Sequence, residues 1–219
     1  MAALESSILR ILDAQGETVG AGFVVSTNLA VTCAHVVEDA DGVPGGTIRV
    51  VFHTGGEERQ AQVDGALWRS ADKEDVALLH LEGELPEGVQ PVLPGSSQGS
   101  NRHPFVTLGF PEANPEGGVH GDGHILGETR LGAERITVLQ LSSLQVTPGF
   151  SGAPVFDTIT ERVIGMVTAI VDPDRHGRMG ETAFITPTET LRAICPDLQL
   201  SDICPYRGLA AFTEADERF

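Results

Sequence analysis

Gly20-Ala21-Gly22-Phe23-Val24-Val25 and Ala30-Val31-Thr32-Cys33-Ala34-His35-Val36-Val37 are two short apolar runs, and the second delivers a histidine to its end. Runs of this length, rich in β-branched residues, read as strands. The same grain repeats outward along the chain. In the first half, further strands are expected at 47–51, 62–67 and 76–81, besides 19–25 and 30–32. In the second half they are expected at 105–109, 124–127, 135–141, 153–156, 163–170 and 182–185. Asp41-Gly42, Gly45-Gly46 and Gly55-Gly56 mark turns between the early ones. Many short strands at this spacing indicate an all-β barrel or sandwich. The stretch 85–103, rich in Pro, Gly and Ser, divides the strands into two sets and reads as an irregular linker. The segment 4–12 fits a short amphipathic helix or a strand equally well. Residues 188–194 suit a short helix, capped by Thr186 or Thr188, with Pro187 near its first turn.

Composition excludes several classes of function. The 219 residues are 41% hydrophobic and 21% charged, which is ordinary for a folded soluble chain. A net charge of −17 repels phosphate backbones, and aromatics at 5% leave few platforms for stacked bases. Nucleic acid is therefore not an expected partner. Lys73 is the sole lysine and lacks the glycines of a phosphate-binding loop. No run of 18 apolar residues exists, so no membrane span is expected, and the first 15 residues do not resemble a secretory signal. Cys33, Cys195 and Cys204 do not form a disulfide framework, which points to a reducing cytoplasm.

Three segments carry chemistry. His35 follows small residues at the end of an apolar run. Asp75-Val76-Ala77-Leu78-Leu79 puts a carboxylate at the start of another. Pro148-Gly149-Phe150-Ser151-Gly152-Ala153-Pro154-Val155 sets a serine in a glycine-bounded turn. A serine hydroxyl is a weak nucleophile and needs a neighbouring base. An imidazole, mostly neutral near pH 7, is that base, and a buried carboxylate fixes its tautomer. Gly149 can take a backbone conformation closed to larger residues, so the N–H groups of Gly149 and Ser151 can converge as an oxyanion hole.

The order His, Asp, Ser and the motifs Thr32-x-Ala34-His35, Asp75-x-Ala77-Leu78-Leu79 and Gly149-x-Ser151-Gly152 resemble the trypsin/chymotrypsin-like serine peptidases, within them the bacterial, disulfide-free Deg-type branch. The resemblance covers roughly residues 16–195. It implies two six-stranded antiparallel β-barrels with the active site between them, and a short C-terminal helix. The expected division is 1–84 for a first barrel carrying His35 and Asp75, 85–103 for the linker, 104–198 for a second barrel carrying Ser151, and 199–219 for a linker to a further module. It further implies a protein or peptide substrate and no metal or cofactor in this segment. Gln145 would lie at the base of the specificity pocket, Thr168, Ala169 and Ile170 along one wall, and Gly180 opposite. No carboxylate falls at that base, so a small or medium uncharged side chain is expected there rather than Arg or Lys. Phe150 departs from the family: secreted members carry an aspartate there that receives a newly cut N-terminus. Activation by such a cut is not expected, and some other contact must order the loop around Gly149.

The tail from Cys204-Pro205-Tyr206-Arg207-Gly208-Leu209 to Phe219 resembles the segment opening the NTPase module of bacterial STAND proteins. That implies an N-terminal effector of a longer signalling or antiphage protein, covalently linked to NTPase and sensor modules, with ATP or another nucleotide bound in the former. The rival readings are a catalytically silent module that binds peptides or docks partners, and a housekeeping Deg-type protease. His120-Gly121-Asp122-Gly123-His124 offers metal-ligand residue types, but its glycines favour a solvated turn. Asp172-Pro173-Asp174-Arg175-His176 reads as a solvated loop, Cys33 as a small buried hydrophobe and Trp68 as packing.

Overall fold

The computed structural model describes residues 2–170 and 180–201. The first barrel is closed by β1 (Ile8–Leu12), β2 (Thr18–Ser26), β3 (Leu29–Thr32), β4 (Thr47–Phe52), β5 (Glu58–Val63) and β6 (Ala77–Leu81), in the order β1-β2-β3-β6-β5-β4. The second is closed by β7 (Pro104–Gly109), β8 (Val119–Leu131), β9 (Ile136–Ser142), β10 (Pro154–Asp157), β11 (Arg162–Ile170) and β12 (Thr182–Pro187), in the order β10-β11-β12-β9-β8-β7. Every pairing within the barrels is antiparallel. Closure leaves no free sheet edge. The double barrel implied by the sequence is therefore the architecture. Among the described residues three short helices accompany it: α1 (Ala2–Glu5), α2 (Ala34–Asp39) and α3 (Thr188–Ile194).

The segment 4–12 is neither wholly helix nor wholly strand; it splits into the end of α1 and β1. The strand expected at 62–67 lies at 58–63 instead, because the Asp64 carboxylate accepts hydrogen bonds from the N–H groups of Ala66 and Leu67 and turns the chain. α2 was not expected. The apolar run ends as a strand at Thr32, and His35 sits in the first turn of this helix. α3 has the expected span, but its N-cap is Pro187. Thr186 and Thr188 are engaged elsewhere: their hydroxyls donate to Glu74 O (3.1 Å) and Gly95 O (2.6 Å).

The glycines of 120–124 do not mark a turn. They lie within β8, where burial alternates along the strand, with Gly121 and Gly123 facing inward and His120, Asp122 and His124 outward. A Cβ on Gly123 would stand 2.0 Å from Ser142 O of β9. These residues are glycine because another part of the barrel occupies the space.

Each barrel has an apolar core, Phe23, Phe52 and Leu79 in the first, Phe105, Phe110, Phe150 and Ile125 in the second. The chain ends cross between them. Leu191, Ile194 and Leu198, on and just after α3, belong to the first core, and Leu4 and Ile8 belong to the second. β6 ends at Leu81 and β7 begins at Pro104, and packing runs across the stretch between them. Trp68 packs against the first core, as its sequence setting suggested.

Gly123→Ala is expected to destabilise the protein by about 2–3 kcal/mol through overpacking against backbone. Gly132→Ala, at φ +67 with open space around it, should cost only about 1 kcal/mol. Urea unfolding of both variants checks the difference.

Candidate active site

Asp75 lies just before β6, in the loop that runs from Arg69. Its φ of +54 falls in the left-handed region, which costs a non-glycine residue about 1–3 kcal/mol. The loop holds it there: Arg69 and Val76 exchange backbone hydrogen bonds at 2.9 Å, and Asp75 N donates to Ser70 O at 3.2 Å. This turn aims the carboxylate inward, where it is buried. Oδ1 accepts the backbone N–H of His35 at 3.0 Å, and Oδ2 stands 2.7 Å from His35 Nδ1. With an ionised carboxylate as its partner, Nδ1 carries the proton and Nε2 keeps a free lone pair.

A third donor reaches the same carboxylate from the other barrel. Thr168 Oγ1 donates to Asp75 Oδ2 at 2.8 Å. Thr168, expected on the wall of a pocket, also has this second contact, which the sequence did not suggest. Burial disfavours the Asp75 charge, but the His35 and Thr168 bonds outweigh it and hold the carboxyl below its ordinary range. Burial likewise pushes the His35 imidazolium down. The hydrogen bond and charge of Asp75, with Asp39 and Glu38 adding, outweigh this and raise His35 above its ordinary value of 6.5.

Cys33, next to this pair, is fully buried, and its Sγ lies 3.2 Å from Val167 O. Burial and then the Asp75 charge push its thiol well above the ordinary value, so it stays protonated. The ligating atoms of Cys33, His35 and Asp75 fall within 4.8 Å of one another, a grouping the sequence did not suggest. Both Asp75 oxygens are already engaged by His35 and Thr168.

Ser151 is brought to the same place by backbone contacts between the barrels. Its carbonyl accepts Ala21 N of β2 at 2.8 Å. Gly20 stands against both Val36 of α2 and Ser151 O, so the serine turn and the helix carrying His35 meet on one strand. Gly152 has φ +84, and a Cβ there would lie 1.9 Å from Ala21 O. Only glycine fits. Among the described residues Ser151 Oγ makes no hydrogen bond; bonds of this kind tighten when substrate is in place.

The backbone N–H groups of the turn divide cleanly. Phe150 N donates to Thr147 O, Gly152 N to Val167 O and Ala153 N to Phe150 O, at 3.1, 2.8 and 2.9 Å. The N–H groups of Gly149 and Ser151 have no acceptor among the described residues. Gly149 has φ +99, and its carbonyl accepts Phe110 N at 2.8 Å. Two donors beside the serine hydroxyl are thus uncommitted, as an oxyanion hole requires.

The expected specificity residues are less gathered. Ala169 and Ile170 are half-buried at the end of β11 and pair with Phe184 and Ala183 of β12. Gly180 is exposed. Gln145 is exposed too, and with its amide nitrogen turned to Asp122 it donates to Oδ1 and O at 3.2 Å. The acidic stretch 172–176 and the tail from Cys204 onward lie outside the described residues.

Comparison with known proteins agrees with this geometry. Residues 20–166 match the family described as the trypsin-like peptidase domain. No curated protein matches. Among solved structures, the active form of the Rv3671c protease from M. tuberculosis is similar at a TM-score of 0.67 and 23% identity, over 91% of this chain and 84% of that one. An inactive form of Rv3671c, from M. tuberculosis H37Rv, gives a TM-score of 0.68 and 23% identity over 90% and 88%. The HtrA-type protease AlgW with a decapeptide gives 0.67 and 18% over 93% and 69%. With two thirds of its length matched to that family, the chain belongs to the trypsin-like peptidase domains.

Proposed function

We propose that the domain is a serine endopeptidase in which Ser151 is the nucleophile, His35 the general base and then acid, and Asp75 the orienting carboxylate. The observation that carries this reading is the Asp75 carboxylate held on both the backbone N and Nδ1 of His35. Ser151 Oγ attacks the peptide carbonyl carbon as its proton passes to His35 Nε2. The N–H groups of Gly149 and Ser151 receive the developing oxyanion. Collapse breaks the C–N bond, and His35 returns the proton to the departing amine, leaving an acyl ester on Ser151. A water molecule, deprotonated by His35, hydrolyses the ester and restores the serine. Thr168 acts through Asp75 as a positioning residue.

The substrate is a protein or peptide. None of the positions that the resemblance assigns to the pocket, Gln145, Thr168, Ala169, Ile170 and Gly180, is acidic, which supports a small or medium uncharged side chain before the scissile bond. The resemblance of the 204–219 tail supports placing the domain as a cytoplasmic effector, joined to nucleotide-binding and sensor modules of a STAND-type signalling or defence protein.

A fluorophosphonate should label the wild type and not Ser151→Ala; an unlabelled wild type would favour a silent docking module. Ser151→Ala should lower turnover by about 10⁶-fold. Neutral His35 is the active form and its pKa is raised, so activity should fall with decreasing pH along a limb centred above 6.5. A pH–rate profile of kcat/KM measures that midpoint. Thr168→Val keeps the shape and removes the donor to Asp75. It should lower kcat/KM on the order of tenfold and move the same limb upward, since a less satisfied carboxylate holds the imidazolium more tightly.

A further inference from the structure

We infer that Phe150 is a positioning residue whose buried ring anchors the oxyanion loop by apolar packing in place of an ion pair; the inference rests on the endopeptidase reading above. Phe150 is completely buried, while Gly149 and Ser151 on either side are only half-buried. Phe150 is therefore the large side chain by which 147–153 enters the second core, with Ala153 beside it. Two glycines make the slot. A Cβ on Gly109 of β7 would stand 2.4 Å from Phe150 Cγ and 2.8 Å from its Cα. A Cβ on Gly121 of β8 would stand 3.1 Å from Phe150 Cε1 and 3.2 Å from Val146. Here is a second reason for glycine within 120–124: position 121 yields its volume to the residue before the nucleophile.

The ring fixes backbone as well as volume. Phe150 N and O are bonded to Thr147 O and Ala153 N, and Gly149 O to Phe110 N. Phe110 itself lies in the same core as Phe150. With these groups held, the remaining N–H groups, of Gly149 and Ser151, are left without an acceptor among the described residues. Residues 147–153 contain no charged side chain, so no ion pair can supply the anchor. A smaller residue at 150 would free the Pro148–Gly149 peptide to rotate and carry its N–H away from the site.

The test compares wild type, Phe150→Leu and Phe150→Ala. It uses kcat and KM on a peptide ester, affinity for a peptide aldehyde, thermal unfolding and hydrogen exchange over 147–153. Phe150→Ala, while folded, should lose about 10²-fold in kcat with KM within about threefold, the size of losing one oxyanion donor. Aldehyde affinity, which depends on a tetrahedral oxyanion, should fall in parallel. Exchange over 147–153 should quicken by at least about tenfold while the strands of both barrels keep their protection. Phe150→Leu, which refills most of the slot, should recover kcat to within about tenfold. A folded Phe150→Ala with kcat within about threefold of wild type and unchanged exchange would overturn the inference. If Phe150→Ala does not fold, Phe150→Leu decides: a kcat that falls as exchange over 147–153 quickens supports the anchor, and a kcat that tracks only the folded fraction refutes it. Exchange needs no catalysis, so a wild type that a fluorophosphonate fails to label sinks the endopeptidase reading while the exchange result still judges the anchor.

Discussion

The site depends on one buried carboxylate. Asp75 accepts three hydrogen bonds, two from His35 on α2 of the first barrel and one from Thr168 on β11 of the second. An ionised carboxylate left without partners in this position would be costly to bury. Its partners are thus not optional, and because they come from both barrels, satisfying the charge also sets where the barrels stand. The left-handed backbone at Asp75 belongs to the same constraint. The turn from Arg69 must reverse direction to send the carboxylate inward, and strain stored at one residue is tolerated where the surrounding bonds over-determine it.

A second set of contacts works through backbone alone. Ala21 N holds Ser151 O, Gly152 N donates to Val167 O at 2.8 Å, and Gly152 has no room for a Cβ. Side chains can change rotamer; these contacts cannot without moving a strand. The proposed role of Ser151 as nucleophile requires placement within about half an ångström of its productive geometry. Building its support from β2 and β11 backbone places that requirement on the most rigid elements available.

The parts of this site legible in the sequence are those with local signatures. His35, Asp75 and Ser151 each sit in a short run that announces its chemistry, and the alternation of short strands and turns announced the barrels. The bond from Thr168 to Asp75 was not legible because the two residues lie 93 positions apart, which no local pattern records. The glycines at 121 and 123 were misread because a glycine that opens a turn and one that admits a neighbour look alike in one dimension. α2 was missed because Val36 and Val37 favour strands intrinsically; burial of both against the first core overrides that preference.

The crossing of the chain ends completes the logic. A cleft between two barrels fails if they slide, and the linker at 85–103 alone is irregular chain. Val89 and Val92 bury within the first core, and Gly95 bonds Val163 of β11 in the second barrel at 2.9 Å. Ser96 and Ser97 then fasten the linker to α3 through Glu189, with hydroxyl bonds of 2.6 Å each. α3 in turn buries Leu191 and Ile194 in the first core, while Leu4 at the other end enters the second. Each barrel thus holds a piece of chain that belongs, by sequence, to the other. Sliding one against the other would expose apolar side chains at both ends and break the Thr168–Asp75 bond in the middle. The relative position of the barrels is consequently tied to burial in both cores.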